Sequence, residues 1–543
     1  MRIRFCARAR PPPSPRGRGG YAGRVDPVAA TLVILVLAVI AFVSNRVPIG
    51  VVAIGVALAL FFTGVLTLPE ALAGFGDPTT LFIAALFVVS EALDATGITA
   101  WAGQKVIGRA GTKRNTLIVV IALLVAGLTA LISINGAVAA LLPLVVVVAA
   151  RAGIASSKLL MPLAFAASAG SLLLLTGTPV NIIVSEFAAG AGGREFGFFE
   201  FALVGIPILV GTVAILLLGD RLLPERRGAL MPKDLMRHAR LLRSQYSLSV
   251  DTGTLLGPVN GVTEVVVAPR SPLIGKTLCA GMSTKKGDLV VLAARRGDEH
   301  LKGAEFVVQA GDALLLQGAW DDLARGASEP GVLAVDDPSL LRRSVPLGRG
   351  AKRAAVILVA MVVLLATGLV PPAVAALLAA CALVLTRTVT ATQAFHSISW
   401  TTIVLIAGMI PLSTAFISTG TADMIAGWML SALGDAGPQV ALLALCGLTV
   451  LLGQLISNMA TVLIVAPIAI SVSQAMDVSV QPFMMALTVA GAASFLTPIA
   501  TPANLMVMDP AGYRFGDYWK LGLPLVIFFL LMAVYYVPLL WPF

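Results

Sequence analysis

Charge is scarce in this sequence. Asp, Glu, Lys and Arg make up 12% of its 543 residues, about half of what a soluble chain of this length carries. The three histidines, His238, His300 and His396, are far apart, and the four cysteines, Cys6, Cys279, Cys381 and Cys446, form no Cys-X-X-Cys and no metal spacing. Disulfide frameworks, zinc sites and nucleophilic triads are therefore not expected. Neither a GxGxxG nor a Walker loop occurs, so nucleotide binding has no support. With no nucleophile–base pair either, an enzyme is not expected, nor is any cofactor.

Apolar sequence is abundant instead. Hydrophobic residues make up 58% of the chain, and mean hydropathy is +0.94. Runs near 28–44, 48–66, 79–98, 115–150, 159–187 and 201–219 recur near 354–370, 372–386, 401–420, 438–473, 482–508 and 521–541. Several reach the ~20 residues of a spanning helix, so a polytopic membrane protein is expected. The net charge of +10 owes seven units to arginines in residues 2–24, a Pro- and Gly-rich segment without an acid. Such a tail suits anionic lipid or nucleic acid, but also a disordered or over-extended start at residues 1–27; no nucleic-acid partner is expected. Arginines before an apolar run also suggest a signal peptide. The run from Val28 to Val43 has no convincing cleavage site and is read as the first span.

One two-part pattern occurs twice, about 324 residues apart. Leu131–Pro143 (LISINGAVAALLP) is followed by Leu175–Val184 (LTGTPVNIIV); Leu455–Pro467 (LISNMATVLIVAP) is followed by Ile499–Met508 (IATPANLMVM). Each copy carries a Thr-Pro-X-Asn about 45 residues after its Ser. The flanks match too: Asp77-Pro78-Thr79-Thr80 with Ser399-Trp400-Thr401-Thr402, Thr96-Gly97 with Thr419-Gly420, and Gly205-Ile206-Pro207 with Gly522-Leu523-Pro524. This is an internal duplication of roughly 190 residues, with a first membrane repeat over 28–223 and a second over 351–543.

Charge sets the topology. If 115–150 and 438–473 are re-entrant hairpins, each half has five spans. One side then collects Arg46, Lys105, Arg109, Lys113, Arg114, Arg151, Lys158, Arg221, Lys352, Arg353, Arg387, Arg514 and Lys520. The opposite side collects Glu70, Asp77, Glu195, Asp423, Asp435 and Asp477, with Arg194 the only mid-chain base, and no Lys or Arg occurs from Thr421 to Gln481. By the positive-inside rule the basic side is cytoplasmic and the halves are inverted. The expected fold is an all-α polytopic membrane protein of two inverted repeats, each with five spanning helices and a re-entrant hairpin, in the cell inner (plasma) membrane. Residues 224–350 are more polar, with short alternating runs at Thr263–Ala268, Leu289–Ala294 and Ala313–Leu316 between Gly, Pro and Asp turns. They predict a small soluble domain on the cytoplasmic side.

A broken helix frees N–H and C=O groups, which in hydrocarbon costs several kcal/mol per group. Freed carbonyls beside Ser, Thr and Asn oxygens suit a hard cation such as Na⁺. Helix N-termini attract anions. Ser133, Asn135 and the Thr176–Pro179 turn form one candidate cation cage; Ser457, Asn458 and the Ala500–Pro502 turn form its mirror image. A small anion would sit between them. Small residues also permit close packing and prolines kink helices, but paired breaks at matching positions point to a transporter's substrate site. No Lys or Arg lies within an apolar core. Glu91 and Asp94, one turn apart, and Glu186 are the intramembrane acids. Glu91 is a candidate proton or cation site; equally, Glu91 and Asp94 could pair with Lys105 or Arg109 near the cytoplasm.

At these residues the chain resembles the divalent anion:sodium symporter (DASS) family of the ion transporter superfamily, from about residue 28 onward. That family carries two Ser-Asn-Thr hairpin tips, each followed by a broken helix. Here the tips read Ser133-Ile134-Asn135-Gly136 and Ser457-Asn458-Met459, with Thr461 beyond, so the first departs further. The resemblance implies sodium at Ser133, Asn135 and Gly177, and at Ser457, Asn458 and Ala500. It implies an anion against Asn135, Thr178, Pro179, Ser457, Asn458, Thr501 and Pro502. It further implies a homodimer in lipid and an elevator-like movement. Glu264–Leu278 and Ala310–Gly318 resemble a TrkA C-terminal (RCK-C) domain, core about 245–325, which implies a regulatory small ligand of unknown identity. Sodium-coupled uptake of sulfate or a C4-dicarboxylate is the leading expectation. A sodium/proton antiporter or arsenite-type exporter, and a non-transporting sensor acting through the middle domain, are the alternatives.

Overall fold

The computed structural model describes residues 26–44, 46–107, 111, 113–226, 260–279, 281–283, 289–297, 299–301, 305–327, 331–335, 350–434 and 437–543. The basic tail, Arg109 and Asp435 lie outside the described residues.

Ten helices of the first half have ten counterparts in the second. The first set is α1 (Pro27–Ser44), α2 (Ile49–Phe62), α3 (Leu68–Leu72), α4 (Pro78–Ala95), α5 (Ile98–Ile107), α6 (Arg114–Leu131), α7 (Ile134–Ala152), α8 (Ser157–Gly170), α9 (Pro179–Gly190) and α10 (Ala202–Leu218). A short α11 (Trp320–Ala327) belongs to the insert. The second set is α12 (Ala351–Thr367), α13 (Pro372–Leu385), α14 (Ala391–Ser397), α15 (Trp400–Ser418), α16 (Thr421–Leu433), α17 (Pro438–Gly453), α18 (Asn458–Ala475), α19 (Val480–Ala492), α20 (Pro502–Ala511) and α21 (Tyr518–Leu531); the chain then runs through a π-turn at Met532–Tyr536. Local chemistry sets these boundaries. Prolines open α4, α9, α13, α17 and α20, where a missing N–H costs nothing. Left-handed glycines close α7, α12 and α20 at Gly153, Gly368 and Gly512, a conformation glycine adopts without a Cβ penalty.

The two halves pack reciprocally. α2 lies on α15 as α4 lies on α13; α9 lies on α18 and α19 as α20 lies on α7 and α8. The exchange extends to single glycines. A Cβ at Gly205 of α10 would fall 2.2 Å from the Leu172 carbonyl oxygen, and one at Gly522 of α21 would fall 2.3 Å from that of Phe495. Each half thus seats its last helix directly on the loop that follows α8 or α19.

The chain is a polytopic membrane protein by length and composition. Six helical segments among the described residues are long and apolar enough to cross a membrane: Pro27–Ser44, Leu68–Ala95, Arg114–Leu131, Trp400–Ser418, Asn458–Ala475 and Phe515–Leu540. Five expected spans per half are not all full-length rods. α2 and α13 have 14 residues, or roughly 21 Å at 1.5 Å per residue, against a hydrocarbon core of about 30 Å. Burial is concentrated where the chain is broken. Every residue of α8 is buried, as are most of α18 and all of α19, whereas α1 and α12 expose large apolar side chains such as Leu37, Val356 and Val359. The helices that flank the second breaks are therefore surrounded by protein.

The insert is a small α/β unit. Its strands are β1 (Asn260–Val267), β2 (Thr277–Leu278), β3 (Leu289–Arg296), β4 (Glu299–His300), β5 (Phe306–Val307), β6 (Ala313–Ala319) and β7 (Val332–Ala334). An antiparallel sheet in the order β4-β3-β6-β1-β7 carries α11 against β1 and β6, and β2 pairs with β5. Gly261 of β1 leaves room for the Trp320 ring, whose nearest atom would lie 2.3 Å from a Cβ there. Asp312 is sealed beneath Arg296, with bidentate contacts of 2.7 and 2.8 Å and a further hydrogen bond from the Gln309 N–H.

Candidate functional site

Each half contains two interruptions. In the first half α6 ends at Leu131, Ile132 is extended, and Ser133 caps α7 by accepting a hydrogen bond from the Gly136 N–H at 3.2 Å. In the second, α17 ends at Gly453 and Ser457 caps α18, accepting from the Ala460 N–H at 3.3 Å. The Ser supplies an oxygen to an orphan N–H of the first turn, so a new helix starts there instead of the old one continuing. Asn135 and Asn458 consequently lie in the first turn of a helix, just past the break.

The second interruption follows α8 and α19. Residues 171–178 unwind through one 3-10 turn (Leu175–Gly177), and Thr178 and Pro179 restart the chain as α9. Thr501 and Pro502 do the same for α20, with Thr501 Oγ1 accepting from the Asn504 N–H at 3.2 Å. Asn181 Nδ2 donates to the carbonyls of Ser171 (3.0 Å) and Leu174 (2.8 Å). Its counterpart Asn504 Nδ2 donates to Ser494 (2.8 Å) and Thr497 (3.2 Å). These side chains meet the hydrogen-bonding demand of carbonyls that an unwound helix leaves bare.

Tips and breaks are tied together. Thr176 Oγ1 donates to the Ala130 carbonyl at the end of α6. In the second half the tie is Gln454, whose Nε2 donates to the Ala493 carbonyl while its Oε1 accepts from the Leu496 N–H. Ser494 Oγ also donates to Asn458 Oδ1 at 2.5 Å.

The two halves meet at a cavity lined by Ile134, Ser168, Ser171, Thr178, Asn458 and Thr488, among others. Three helix N-termini reach it: those of α7 through Ile134, α9 through Thr178 and α18 through Asn458. Their partial positive charges point at one place, and no Lys or Arg lines it. The enclosed volume is about 10 Å³, near the least that holds one water. The tips are thus nearly closed on each other.

The sequence candidates do not all reach this cavity. Thr178 and Asn458 line it. Ser133 and Ser457 cap the helices beside it. Gly177 is buried, and a Cβ there would lie 2.2 Å from the Ser171 carbonyl oxygen; Ala500 and Thr501 are buried at the matching turn. Pro179 is half-buried, while Asn135 and Pro502 are exposed. Where Asn458 faces the cavity, the first half presents Ile134. The paired Asn181 and Asn504, together with Gln454 and Ser494, were not singled out from the sequence, although the Asn of each Thr-Pro-X-Asn was visible as a repeated residue.

Glu91 is half-buried on α4. The acid nearer the first tip is Asp94: a Cβ at Gly136 would lie 3.2 Å from Asp94 Oδ2 and from Ser133 Oγ, and 3.5 Å from Ser90 Oγ. Both acids have partners. A larger cavity of about 330 Å³ lies at the far ends of α9 and α18, lined by Asp77, Glu186 and Asp423 with Thr79, Ser471 and Gln474. There Thr79 Oγ1 donates to the Glu186 carboxylate, joining α4 to α9.

A family described as "CitMHS: Citrate transporter" matches residues 39–490 and 442–543. The chain is 30% identical to "Uncharacterized transporter YfbS" of Escherichia coli, over 94% of this chain and 99% of that protein. It is 28% identical to "Sodium/sulfate cotransporter 1" of Chlamydomonas reinhardtii, over 50% of this chain and 32% of that one. The solved YdaH transporter of Alcanivorax borkumensis aligns with 95% of this chain and 99% of its own at 14% identity, with a TM-score of 0.48.

Proposed function

We propose that this chain, which belongs to the CitMHS citrate transporter family, couples the movement of a small divalent anion to sodium. The observation that carries this reading is the convergence of the α7, α9 and α18 N-termini on one cavity without a cationic side chain. Helix termini alone supply a modest field. Bound sodium beside the anion would supply the rest, and the uncharged oxygens at each break have the chemistry for it. One sodium is assigned to the first break at Ser133, Asn135 and Gly177, the other to the second at Ser457, Asn458 and Ala500. Asn135, Thr178, Pro179, Ser457, Asn458, Thr501 and Pro502 are assigned to the anion.

Sulfate and a C4-dicarboxylate are the proposed substrates. Relatives named sodium/sulfate cotransporters support the first, and the family description supports a carboxylate. Transport would proceed by an elevator-type exchange of access, with the tip-bearing helices moving against α2, α4, α13 and α15, in a homodimer. The insert is proposed as a cytoplasmic RCK-C-like sensor of a small ligand, in a plasma or inner membrane. A thermal-shift series on purified protein tests the coupling: one anion should raise the melting temperature only when sodium is present, since a ligand that binds only the folded state stabilises it. Stabilisation by an anion equally in choline would remove sodium from the reading.

A further inference from the structure

We propose that Asn181 and Asn504 belong to the two cation sites: in each half the amide nitrogen fixes the unwound turn and Oδ1 faces the bound sodium. This rests on the sodium-coupled reading above and adds a residue to each site.

Both side chains are fully buried, at 0% exposure. Their orientation is settled by their partners. Asn181 Nδ2 already donates to the carbonyls of Ser171 and Leu174, and Asn504 Nδ2 to those of Ser494 and Thr497. An amide flip would place oxygen against two carbonyl oxygens, so Nδ2 and Oδ1 are assigned by the network. Oδ1 of each residue then has no hydrogen-bond partner among the described residues. A buried amide oxygen without a protein donor is rare, and an ion or an ordered water is its ordinary partner. Here it occurs at equivalent positions in both halves, which local packing accident does not explain.

The surroundings favour a cation over a hydrogen-bond donor. Each amide lies across an unwound turn and holds two of that turn's carbonyls through Nδ2. Gly177 passes so close to the Ser171 carbonyl that a Cβ there would fall 2.2 Å from it. Thr178 and Thr501 present hydroxyl oxygens at the restarting helices. Neutral amide, hydroxyl and carbonyl oxygens are the ligand type hard cations select. The neighbouring tips differ, with Ile134 on one side and Asn458 on the other, whereas the Asn of the break is shared by both sites, as are the capping Ser and Thr.

The test titrates sodium against full-length protein in detergent, without anion, following the melting temperature with choline as the control cation. In Asn181→Leu and Asn504→Leu the sodium midpoint should rise at least about tenfold, and each variant should lose one of two sodium-binding steps. Asn504→Asp keeps an oxygen there and adds a titratable charge, so its sodium midpoint should become pH-dependent between about pH 5 and 8. This arm stands even if the leucine variants fail to fold. Variants that melt earlier yet keep the wild-type sodium midpoint, with no pH dependence in Asn504→Asp, would make both residues purely structural and overturn the inference. A wild-type protein that ignores sodium would instead sink the coupling reading itself, and this inference with it.

Discussion

Ser494 Oγ donates to Asn458 Oδ1 at 2.5 Å, joining the tip of the second hairpin to the loop that precedes the Thr501 break. The first half has no such pair, because Ile134 occupies the place of Asn458. Its counterpart serine, Ser171, donates to the Ser168 carbonyl instead. The duplicated scaffold thus carries two unequal tips, and the second has the more directed polar group.

Asn458→Ala should therefore reduce anion uptake by about 100-fold or more in proteoliposomes, since it removes a cavity-lining side chain and leaves Ser494 Oγ only the long 3.4 Å contact to the Gly491 carbonyl. Ser494→Ala should cost about tenfold, because Asn458 stays in place but loses its orienting bond. Equal, small effects of both would mean that Asn458 does not touch the anion.

Gly177→Ala should destabilise the protein by about 1–3 kcal/mol, the usual cost of overpacking, because its Cβ would fall 2.2 Å from a backbone oxygen that cannot swing away. Gly127→Ala is the control: nothing lies within 4 Å of that position, and alanine suits a helix interior. Thermal melting in detergent compares them, and a Gly177→Ala protein as stable as wild type would show that the break is looser than it looks.

Thr178→Val and Thr501→Val remove the oxygens that cap α9 and α20. A lost N-cap costs about 1 kcal/mol, so both variants should still fold. Uptake should fall much further than stability in each if the same oxygens belong to the proposed anion site. Parallel losses in expression and uptake, with no change in apparent affinity, would assign them to capping alone.

The insert supplies a pH test. Burial pushes the Asp312 carboxyl up, but the Arg296 hydrogen bonds, the Gln309 N–H and the Arg296 charge outweigh it and hold the carboxyl below its ordinary range. A depressed folded-state pKa contributes stability that is present above the unfolded value and disappears as pH falls through the folded value. Protection of the β1 and β6 amides from hydrogen exchange in the full-length protein, taken relative to their intrinsic rates, should thus stay high at neutral pH and fall only below the ordinary carboxylate range. Asp312→Asn should remove that acid step and cost about 1–3 kcal/mol, as a buried group short of its partner does. An unchanged acid profile in Asp312→Asn would locate the step elsewhere.

Most of the scaffold was readable because membrane chains write their constraints plainly. Apolar length marked α1, α4, α6 and α15, and the repeated Ser and Thr-Pro signatures fell on the caps that start α7, α9, α18 and α20. The alternating runs near 263–268, 289–294 and 313–316 became β1, β3 and β6. The short α3 and α14 and the polar-flanked α5 and α16 were not separable from their neighbours, since composition alone does not show where a span turns along the interface. Side-chain direction was the larger gap. The spacing put Asn135 and Asn458 at matching tips, but the residue that lines the cavity opposite Asn458 is Ile134, one position and about 100° around the helix from Asn135. Asn181 and Asn504 were in the pattern without a role, because their significance lies in which carbonyls they reach across the unwound turn.

Sodium and anion must reach the same cavity for this account to hold, and accumulation in sealed proteoliposomes tests that most directly. Labelled sulfate and labelled C4-dicarboxylate are offered outside with an inward sodium gradient, against choline of equal osmolarity. One of the two should accumulate above its external concentration with sodium and not with choline, and Asn458→Ala should abolish the difference. Equal, merely equilibrating flux in both salts, or no flux of either anion, would contradict a sodium-coupled carrier.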